Sequence, residues 1–235
     1  TLHNEDEVRR KDVRIGDTVV VQRAGDVIPE VVKVIKEKRT GKEKEFMMPD
    51  KCPVCGSHVE RIGDEAATRC TSLYCRAQLI ERIFHFASRG GMDIEGLGYK
   101  TVQMFIEKGF IKDVADLYLL HEKKNETISI ERMGEKSFQN LVDGLEASKN
   151  REFSRIIYAL GIFGVGENTA NLLASYSGSI ENLMSASEDD LQGVEGIGPV
   201  VGRSVYSFFK DKTNIEILNK LRKSGVTFPK TKTAI

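Results

Sequence analysis

All four cysteines of the 235-residue chain fall in one short stretch. Cys52 and Cys55 are separated by two residues, and after fourteen more residues Cys70 and Cys75 form a second pair. Two close pairs of thiolates joined by a short loop have the spacing of a tetrahedral zinc site. Four sulfur ligands leave no coordination position for water, so the spacing predicts a structural Zn²⁺ ion. Such an ion contributes on the order of 10 kcal/mol to the folding of its module.

Two other interpretations of this stretch are open. The cysteines could form two disulfides, although nothing in the sequence indicates the oxidising compartment in which disulfides persist. The chain has no secretory signal at its start and no run of 18 apolar residues, so we expect a cytoplasmic protein without membrane contacts. His58 lies between the cysteine pairs and could replace one ligand, but four cysteines already saturate the ion.

A second pattern with chemical consequences is a repeated glycine–apolar–glycine hairpin. The second glycine of each hairpin recurs at intervals of 36, 32 and 32 residues, which is the range expected for a repeated structural unit. Arg132 stands where the first glycine of the second hairpin is expected. The glycines of the four hairpins are Gly96 and Gly98, Gly134, Gly164 and Gly166, and Gly196 and Gly198.

These hairpins predict contacts to phosphate. The first glycine ends one helix with a positive φ, and the second opens the next helix with its N–H groups exposed. A helix N-terminus with free N–H groups binds anions, and Lys100 and Lys136 lie two residues beyond their glycines. The alternative is that the glycines serve only as helix caps. Glu135 and Glu167 count against phosphate binding, since each directly follows a second glycine.

The charge balance bears on the partner. The chain has 35 basic and 35 acidic residues, whereas nucleic-acid-binding proteins more often carry a basic stripe. Backbone amides in the hairpins would explain binding to a nucleic-acid backbone without net positive charge. Contacts of this kind carry no sequence information.

Several elements must position these groups. Strands are predicted at 18–22 and 27–35, with a third short strand at 46–48, and a turn at 12–17. Pro29 indicates a strand edge or a bulge. An apolar stripe that begins after Ala77 predicts a helix that packs against a neighbouring module. The residues of this stripe are Leu79, Ile80, Ile83, Phe84 and Ala87. Matching short helices are predicted near 113–117 and 179–183.

The predicted fold class is multidomain α+β. A small β module occupies 1–50 and has too few strands to close, which suggests that it is incomplete at its N-terminus. The four-cysteine zinc module occupies 51–76. An all-α domain of four helix-hairpin-helix repeats occupies 77–228, with paired repeats at 92–149 and 160–225, and a flexible tail follows at 229–235.

This order of modules resembles the C-terminal half of the bacterial NAD⁺-dependent DNA ligases over essentially all 235 residues. The segments that carry the resemblance are Thr1–Asn4, Asp12–Asp17, Arg23–Pro29, the four cysteines and Tyr158–Ile162. The resemblance implies that the β module is part of an OB fold and that the modules close around nicked double-stranded DNA. It also implies DNA contacts near the nick by Arg23, Val27 and Ile28, and phosphate contacts at the hairpin glycines.

The same resemblance implies NAD⁺ and Mg²⁺ for the whole enzyme, together with an adenylation domain as partner. That domain's nucleotidyl-transfer lysine lies in a Lys-x-Asp-Gly motif, which does not occur here. We therefore expect no catalytic residue in this chain. The resemblance also implies a bacterial cytoplasmic protein associated with the nucleoid. Two further classes compete with the ligase interpretation: a stand-alone DNA-binding module of a repair complex, and an RNA-binding zinc ribbon with an OB module.

Overall fold

The computed structural model describes residues 2, 4–24, 28–61, 66–70, 72, 75–130 and 133–231, with only the backbone of Ala24 and Ile28. The chain separates into two compact units, Thr1–Arg76 and Ala77–Ile235. The first carries short strands and the four cysteines, and the second is helical. The predicted multidomain α+β class is confirmed.

The first unit begins with helix α1, Glu5–Arg10, which the sequence analysis did not predict. Asn4 caps it, because its side chain accepts hydrogen bonds from the N–H groups of Asp6 and Glu7 at 3.0 and 3.3 Å. Three acidic residues occupy the first turn, and they interact favourably with the helix dipole. The signal for this helix was therefore present in the sequence.

Among the described residues of the first unit, three two-stranded antiparallel sheets follow. The strands β2 and β3 confirm the two predicted long strands, and their bulge falls between Val20 and Val21, away from Pro29. The prediction of a strand at 46–48 was wrong, because the short strand lies just before it and pairs with residues inside the predicted turn. The pairs are β1 (Arg14–Ile15) with β4 (Lys44–Glu45), β2 (Val19–Ala24) with β3 (Ile28–Val34), and β5 (Val59–Arg61) with β6 (Thr68–Cys70).

Arg39, which follows a short 3₁₀ helix at Lys36–Lys38, holds the turn that carries β1. Its Nε and Nη2 donate to the two carboxylate oxygens of Asp17 at 2.7 and 2.8 Å. Its Nη1 donates to the Asp12 carboxylate at 2.9 Å, and Nη2 also donates to the Asp12 carbonyl at 2.6 Å. Paired charge-assisted bonds of this kind are among the strongest hydrogen bonds in proteins. The turn is thus fixed by a side chain from beyond β3.

The second unit is built from ten helices and one 3₁₀ segment among its described residues. Asp113 caps the 3₁₀ segment with a capping box, and Ser179 caps α8 through the N–H of Asn182. The two predicted matching elements are both helical, but only α8 is an α-helix. The elements are α2 (Arg76–Ala87), α3 (Tyr99–Glu107), the 3₁₀ segment (Val114–Lys123), α4 (Lys124–Ile128), α5 (Glu135–Ser148), α6 (Phe153–Ala159), α7 (Glu167–Ser177), α8 (Ile180–Ser185), α9 (Glu188–Gln192), α10 (Pro199–Lys210) and α11 (Lys212–Lys223).

In the part of this unit that the structure describes, two hydrophobic clusters form the core. The first gathers α2, α3, the 3₁₀ segment and α5, with Phe105 and Leu141 completely buried. The second gathers α7 to α10, with Leu173 and Val205 at its centre. Helix α6 belongs to both clusters, because Ile156 lies in the first and its neighbours Phe153 and Ile157 lie in the second.

The apolar stripe predicted on α2 is a packing surface. Ile80, Ile83 and Ala87 are buried in the first cluster, and Leu79 and Phe84 pack against it. Phe86, which the stripe did not include, is also fully buried. At the other end of the chain the predicted tail is attached as far as Thr231, whose N–H donates to the carbonyl of Gly178 at 2.9 Å.

Candidate metal centre and nucleic-acid interface

The four cysteines converge in the first unit, with all sulfur atoms within 4.8 Å of one another. The Sγ atoms of Cys52 and Cys75 are 3.9 Å apart, and those of Cys55 and Cys70 are 3.5 Å apart. A zinc ion with Zn–S bonds of about 2.3 Å requires tetrahedral sulfur–sulfur separations of about 3.8 Å. A disulfide requires about 2.05 Å, so the disulfide alternative does not fit. The residues therefore fit one tetrahedral zinc ion.

Local turns and one strand pair bring the sulfurs together. The N–H of Cys52 donates to the carbonyl of Ser57, and the N–H of Gly56 returns to the carbonyl of Cys52, both at 2.8 Å. Gly56 has a φ of 71°, which glycine adopts without strain. The pairing of Val59 with Cys70 then returns the third ligand to this turn. His58, the alternative ligand, is not among the described groups that converge.

The surroundings of Cys55 and Cys70 shift the pKa values of these two thiols in opposite directions. Hydrogen bonds from the side chain and backbone of Ser57 lower the pKa of Cys55 to about 6. The N–H of Ser72 donates to the sulfur of Cys70 and lowers its pKa, but burial and the neighbouring sulfurs raise it to about 12. Zinc binds thiolates, so ion uptake must release protons from this site. Four sulfur ligands leave it without an open position for water, as expected of a structural site.

The four second glycines of the hairpins each stand immediately before a helix. Gly98, Gly134, Gly166 and Gly198 have extended backbones, with φ between −73° and −87°, and none supplies a side-chain cap. By contrast, α1, α8, α9 and α11 begin with a capping Asn, Ser or Asp side chain. The first N–H groups of the four hairpin helices are therefore left without a side-chain acceptor. In α10 these groups begin at Val200, because Pro199 has no N–H.

The second glycines are not required by the backbone or by packing. Their φ values are available to any residue, and a Cβ on Gly134, Gly166 or Gly198 would meet nothing within 4 Å. The same atom on Gly98 would meet only the hydroxyl oxygen of Thr101, at 4.0 Å. The fold thus tolerates a side chain at these positions, and the glycines leave the helix ends bare.

The first glycines, unlike the second, are required by the backbone conformation of the turn. Gly96, Gly164 and Gly196 have φ values of 89°, 77° and 86°, in the left-handed region that favours glycine. This confirms the predicted turn for three hairpins, while Arg132 lies outside the described residues. The apolar residue before each second glycine is buried, and these residues are Leu97, Met133, Val165 and Ile197.

The hairpins pack in pairs. A Cβ on Gly164 would lie 3.0 Å from Val201 in α10, which the fourth hairpin opens. One on Gly196 would lie 3.0 Å from Leu172 in α7, which the third hairpin opens. In the first pair, a Cβ on Gly96 would approach Leu141 of α5 to 3.8 Å. Each of these hairpins therefore rests on the helix that its partner hairpin opens.

Side chains in the first helical turns differ among the hairpins. Lys100 and Lys136 are exposed, as a role in anion binding requires. The carboxylate of Glu167 lies directly over Gly90, where a Cβ would collide with it. It lines an open cleft of about 440 Å³ together with Arg89 and Gly90, which follow α2, and with residues of α6. The side chain of Glu167 thus lies beside Gly90 and remains exposed at the rim of this cleft.

The sequence analysis did not single out Tyr99, the first residue of α3. Its ring stacks on Phe84 with centroids 5.8 Å apart, and 56% of its surface is exposed. The corresponding positions of the other hairpins hold Glu135, Glu167 and Pro199. Tyr99 is thus the one first-turn residue at this position that can donate a side-chain hydrogen bond to an anion. Its place directly after Gly98 was the available signal.

The structure describes only part of the DNA contacts predicted in the first unit. Arg23 is exposed on β2, opposite Pro29. Ile28 pairs through its backbone with Ala24, and its side chain is outside the described part of the chain. Val27 lies entirely outside the described residues.

Comparison with protein families agrees with this arrangement. Residues 1–43 match the NAD-dependent DNA ligase OB-fold domain, and residues 51–77 match the NAD-dependent DNA ligase C4 zinc finger domain. Residues 155–218 match the helix-hairpin-helix motif. Two segments of the chain therefore match domains of the NAD-dependent DNA ligases. These two domains of the same family follow each other in the order of the β module and the zinc site. The similarity therefore does not depend on a chance match to one short motif.

Individual DNA ligases match nearly the whole chain. The DNA ligase of Thermoanaerobacter sp. (strain X514) is 49% identical over 230 residues, which are 98% of this chain and 34% of that protein. The DNA ligase of Geobacter sulfurreducens is 53% identical over 226 residues, 96% of this chain and 33% of that protein. The chain therefore spans about a third of the length of these DNA ligases. Among its described residues, no helix has the length and apolar character needed to cross a bilayer.

Proposed function

We propose that this chain is the DNA-gripping portion of a bacterial NAD⁺-dependent DNA ligase that seals nicks in duplex DNA. In the whole enzyme, the adenylation domain would use NAD⁺ and Mg²⁺ to form an adenylated lysine. AMP would then pass to the 5′-phosphate before the 3′-hydroxyl attacks. The residues of this chain would bind and orient the nicked duplex in the cytoplasm, at the nucleoid.

This proposal rests on the four hairpin helices whose N-termini have no side-chain cap. Phosphate oxygens accept hydrogen bonds from exposed backbone N–H groups, and the helix dipole favours an anion at that position. Glycine at each N-cap allows the phosphate to approach the backbone, because no Cβ intervenes. The proposed contacts are Gly98, Gly134, Gly166 and Gly198, with the preceding Gly96, Gly164 and Gly196 setting the turn.

Lysine side chains distinguish the two hairpin pairs in this proposal. Lys100 and Lys136 add positive charge beside the first pair, whereas the matching residues of the second pair are Asn168 and Val200. Counterion release follows the number of neutralising cations. We therefore expect DNA affinity to depend on salt less steeply than the number of contacted phosphates would suggest.

The first unit would contribute the contacts near the nick. Arg23, Val27 and Ile28 hold that role by family resemblance, and the exposure of Arg23 supports it. The zinc ion would be held by Cys52, Cys55, Cys70 and Cys75. Its chemistry would be structural, since it would fix the turns of the finger and provide no open coordination site.

A substitution at Gly166 separates phosphate binding from simple helix capping. Gly166→Asp supplies a good N-cap, so the stability of α7 should stay equal or rise by a few tenths of a kcal/mol. Its carboxylate would occupy the helix N-terminus and repel phosphate. We expect at least a fivefold loss of affinity for nicked duplex, by about 1 kcal/mol of lost contact, measured by fluorescence anisotropy.

Ser187→Asp is the matched control, because it adds the same charge at the N-cap of α9, a helix without a glycine hairpin. It should leave DNA affinity nearly unchanged. Equal affinity of Gly166→Asp and the unsubstituted chain would show that the hairpins are only caps. The enzyme assignment has its own test: this chain, a separately produced adenylation domain and NAD⁺ should together seal nicked DNA, and sealing without this chain would contradict it.

A further inference from the structure

The last helix and the residues after it contact both hydrophobic clusters of the second unit. We call residues 212–231 the C-terminal brace. Leu218 is buried in the second cluster, whereas Leu221 and Val226 are buried in the first. Phe228 packs against both. The matched helix-hairpin-helix motif ends at residue 218, so most of the brace lies beyond it.

Polar contacts of the brace also reach both hairpin pairs. Towards the first pair, the N–H of Thr227 donates to the carbonyl of Lys149 at 2.8 Å. Towards the second pair, Arg222 forms an ion pair with Glu181 of α8, and the N–H of Thr231 donates to Gly178. The brace therefore contacts the first and second pairs alternately along its length.

Lys220 makes the most specific of these contacts. Its Nζ lies 2.5 Å from a carboxylate oxygen of Asp113 and 2.6 Å from one of Asp116. These two residues form the capping box of the 3₁₀ segment that joins the first two hairpins. Lys220 is 38% exposed and the two acids are less so, so the contact is partly shielded from solvent.

We propose that the brace fixes the separation and orientation of the two hairpin pairs, so that both pairs bind one duplex at the same time. Lys220 is the positioning residue of this device. Two binding modules held at a spacing that matches their ligand gain affinity through effective concentration, and they lose that gain when the spacing is not maintained. This inference rests on the proposed DNA-binding function.

Helix α6 also joins the two clusters, so loss of the Lys220 contact should loosen the spacing without separating the pairs. The capping box itself should survive. The Asp113 side chain still accepts from the N–H groups of Ala115 and Asp116. The Asp116 side chain still accepts from those of Lys112 and Asp113. Lys220→Met, which keeps a long apolar side chain, should therefore fold.

The test compares affinities for duplexes of increasing length by anisotropy. The unsubstituted chain should gain affinity once the duplex is long enough to reach both pairs. Lys220→Met should bind short duplexes normally and lose roughly tenfold of that gain, which for two linked sites is typically about 10²- to 10⁴-fold. Lys220→Arg should restore the gain, since it can contact the same two carboxylates. Phe228→Ala should reproduce the loss by a different contact.

Lys223→Met is the matched control, because it removes the same charge from an exposed position of the same helix. It should retain the full gain. A full gain in both Lys220→Met and Phe228→Ala would overturn the inference, and so would an equal loss for short and long duplexes. If the unsubstituted chain binds no duplex at all, the proposed function fails, which is a distinct outcome from failure of the brace.

Discussion

The two units of the chain are stabilised by different interactions. Among the described residues of Thr1–Arg76, the buried hydrophobic side chains are Val8, Cys52 and Cys75, and two of these are proposed zinc ligands. Ala77–Ile235 instead buries two clusters of aliphatic and aromatic side chains. The apolar area available for stabilisation is therefore much smaller in the first unit. A unit with so little buried apolar surface depends on metal ligation and ion pairs.

The largest expected effect comes from removing zinc. Chelation, or Cys52→Ser, should cost the finger on the order of 10 kcal/mol and unfold it, because the turns around the ligands have little apolar packing to hold them. The helical circular dichroism of the second unit should persist, and amide NMR signals should be lost only from the first unit. If the helical signal of the second unit is lost together with the NMR signals of the first unit, both units depend on zinc.

A core substitution in the second unit should destabilise that unit and leave the zinc site of the first unit intact. Phe105→Ala removes a fully buried ring from the first cluster and should lower the unfolding free energy of the second unit by about 3–5 kcal/mol. Zinc content, measured by a colorimetric thiol-release assay, should remain at one ion per chain. Val200→Ala is the control, since Val200 is 69% exposed and its truncation should change stability by less than about 0.5 kcal/mol.

The smallest expected effect concerns the ion pairs of the first unit. The Arg39 guanidinium holds the pKa of Asp17 below its usual value. A carboxylate with a lowered pKa in the folded state contributes stability above its unfolded pKa of about 3.9, and that contribution is lost as the pH falls. Arg39→Met should therefore lower the melting temperature of the first unit at neutral pH and weaken its acid dependence.

Arg9→Met is the control for this effect, because Arg9 forms an exposed pair with Glu5. Surface pairs contribute little, so its melting temperature should be nearly unchanged. An identical pH profile for Arg39→Met and the unsubstituted chain would show that the Arg39 contacts do not stabilise the turn.

Local patterns predicted much of this molecule correctly. The cysteine spacing predicted four converging sulfurs, because two of the ligands lie within one tight turn. The Gly–apolar–Gly pattern predicted bare helix N-termini, since φ preferences and helix capping depend on neighbouring residues. The strand predicted at 46–48 was wrong, because strand pairing depends on a partner elsewhere in the chain, here Arg14–Ile15 with Lys44–Glu45.

The sequence by itself therefore predicted the four converging cysteines, the glycine that precedes each hairpin helix, and the resemblance to the DNA ligases. The tertiary structure alone decided which distant side chains hold these parts in place. Arg39 reaches Asp17 and Asp12 across 22 and 27 residues of chain, and Lys220 reaches Asp116 and Asp113 across 104 and 107. Neither lysine nor arginine shows by its type or its neighbours which carboxylate it will contact. Such pairs form only when the tertiary fold brings the two segments together, so no local pattern predicts them.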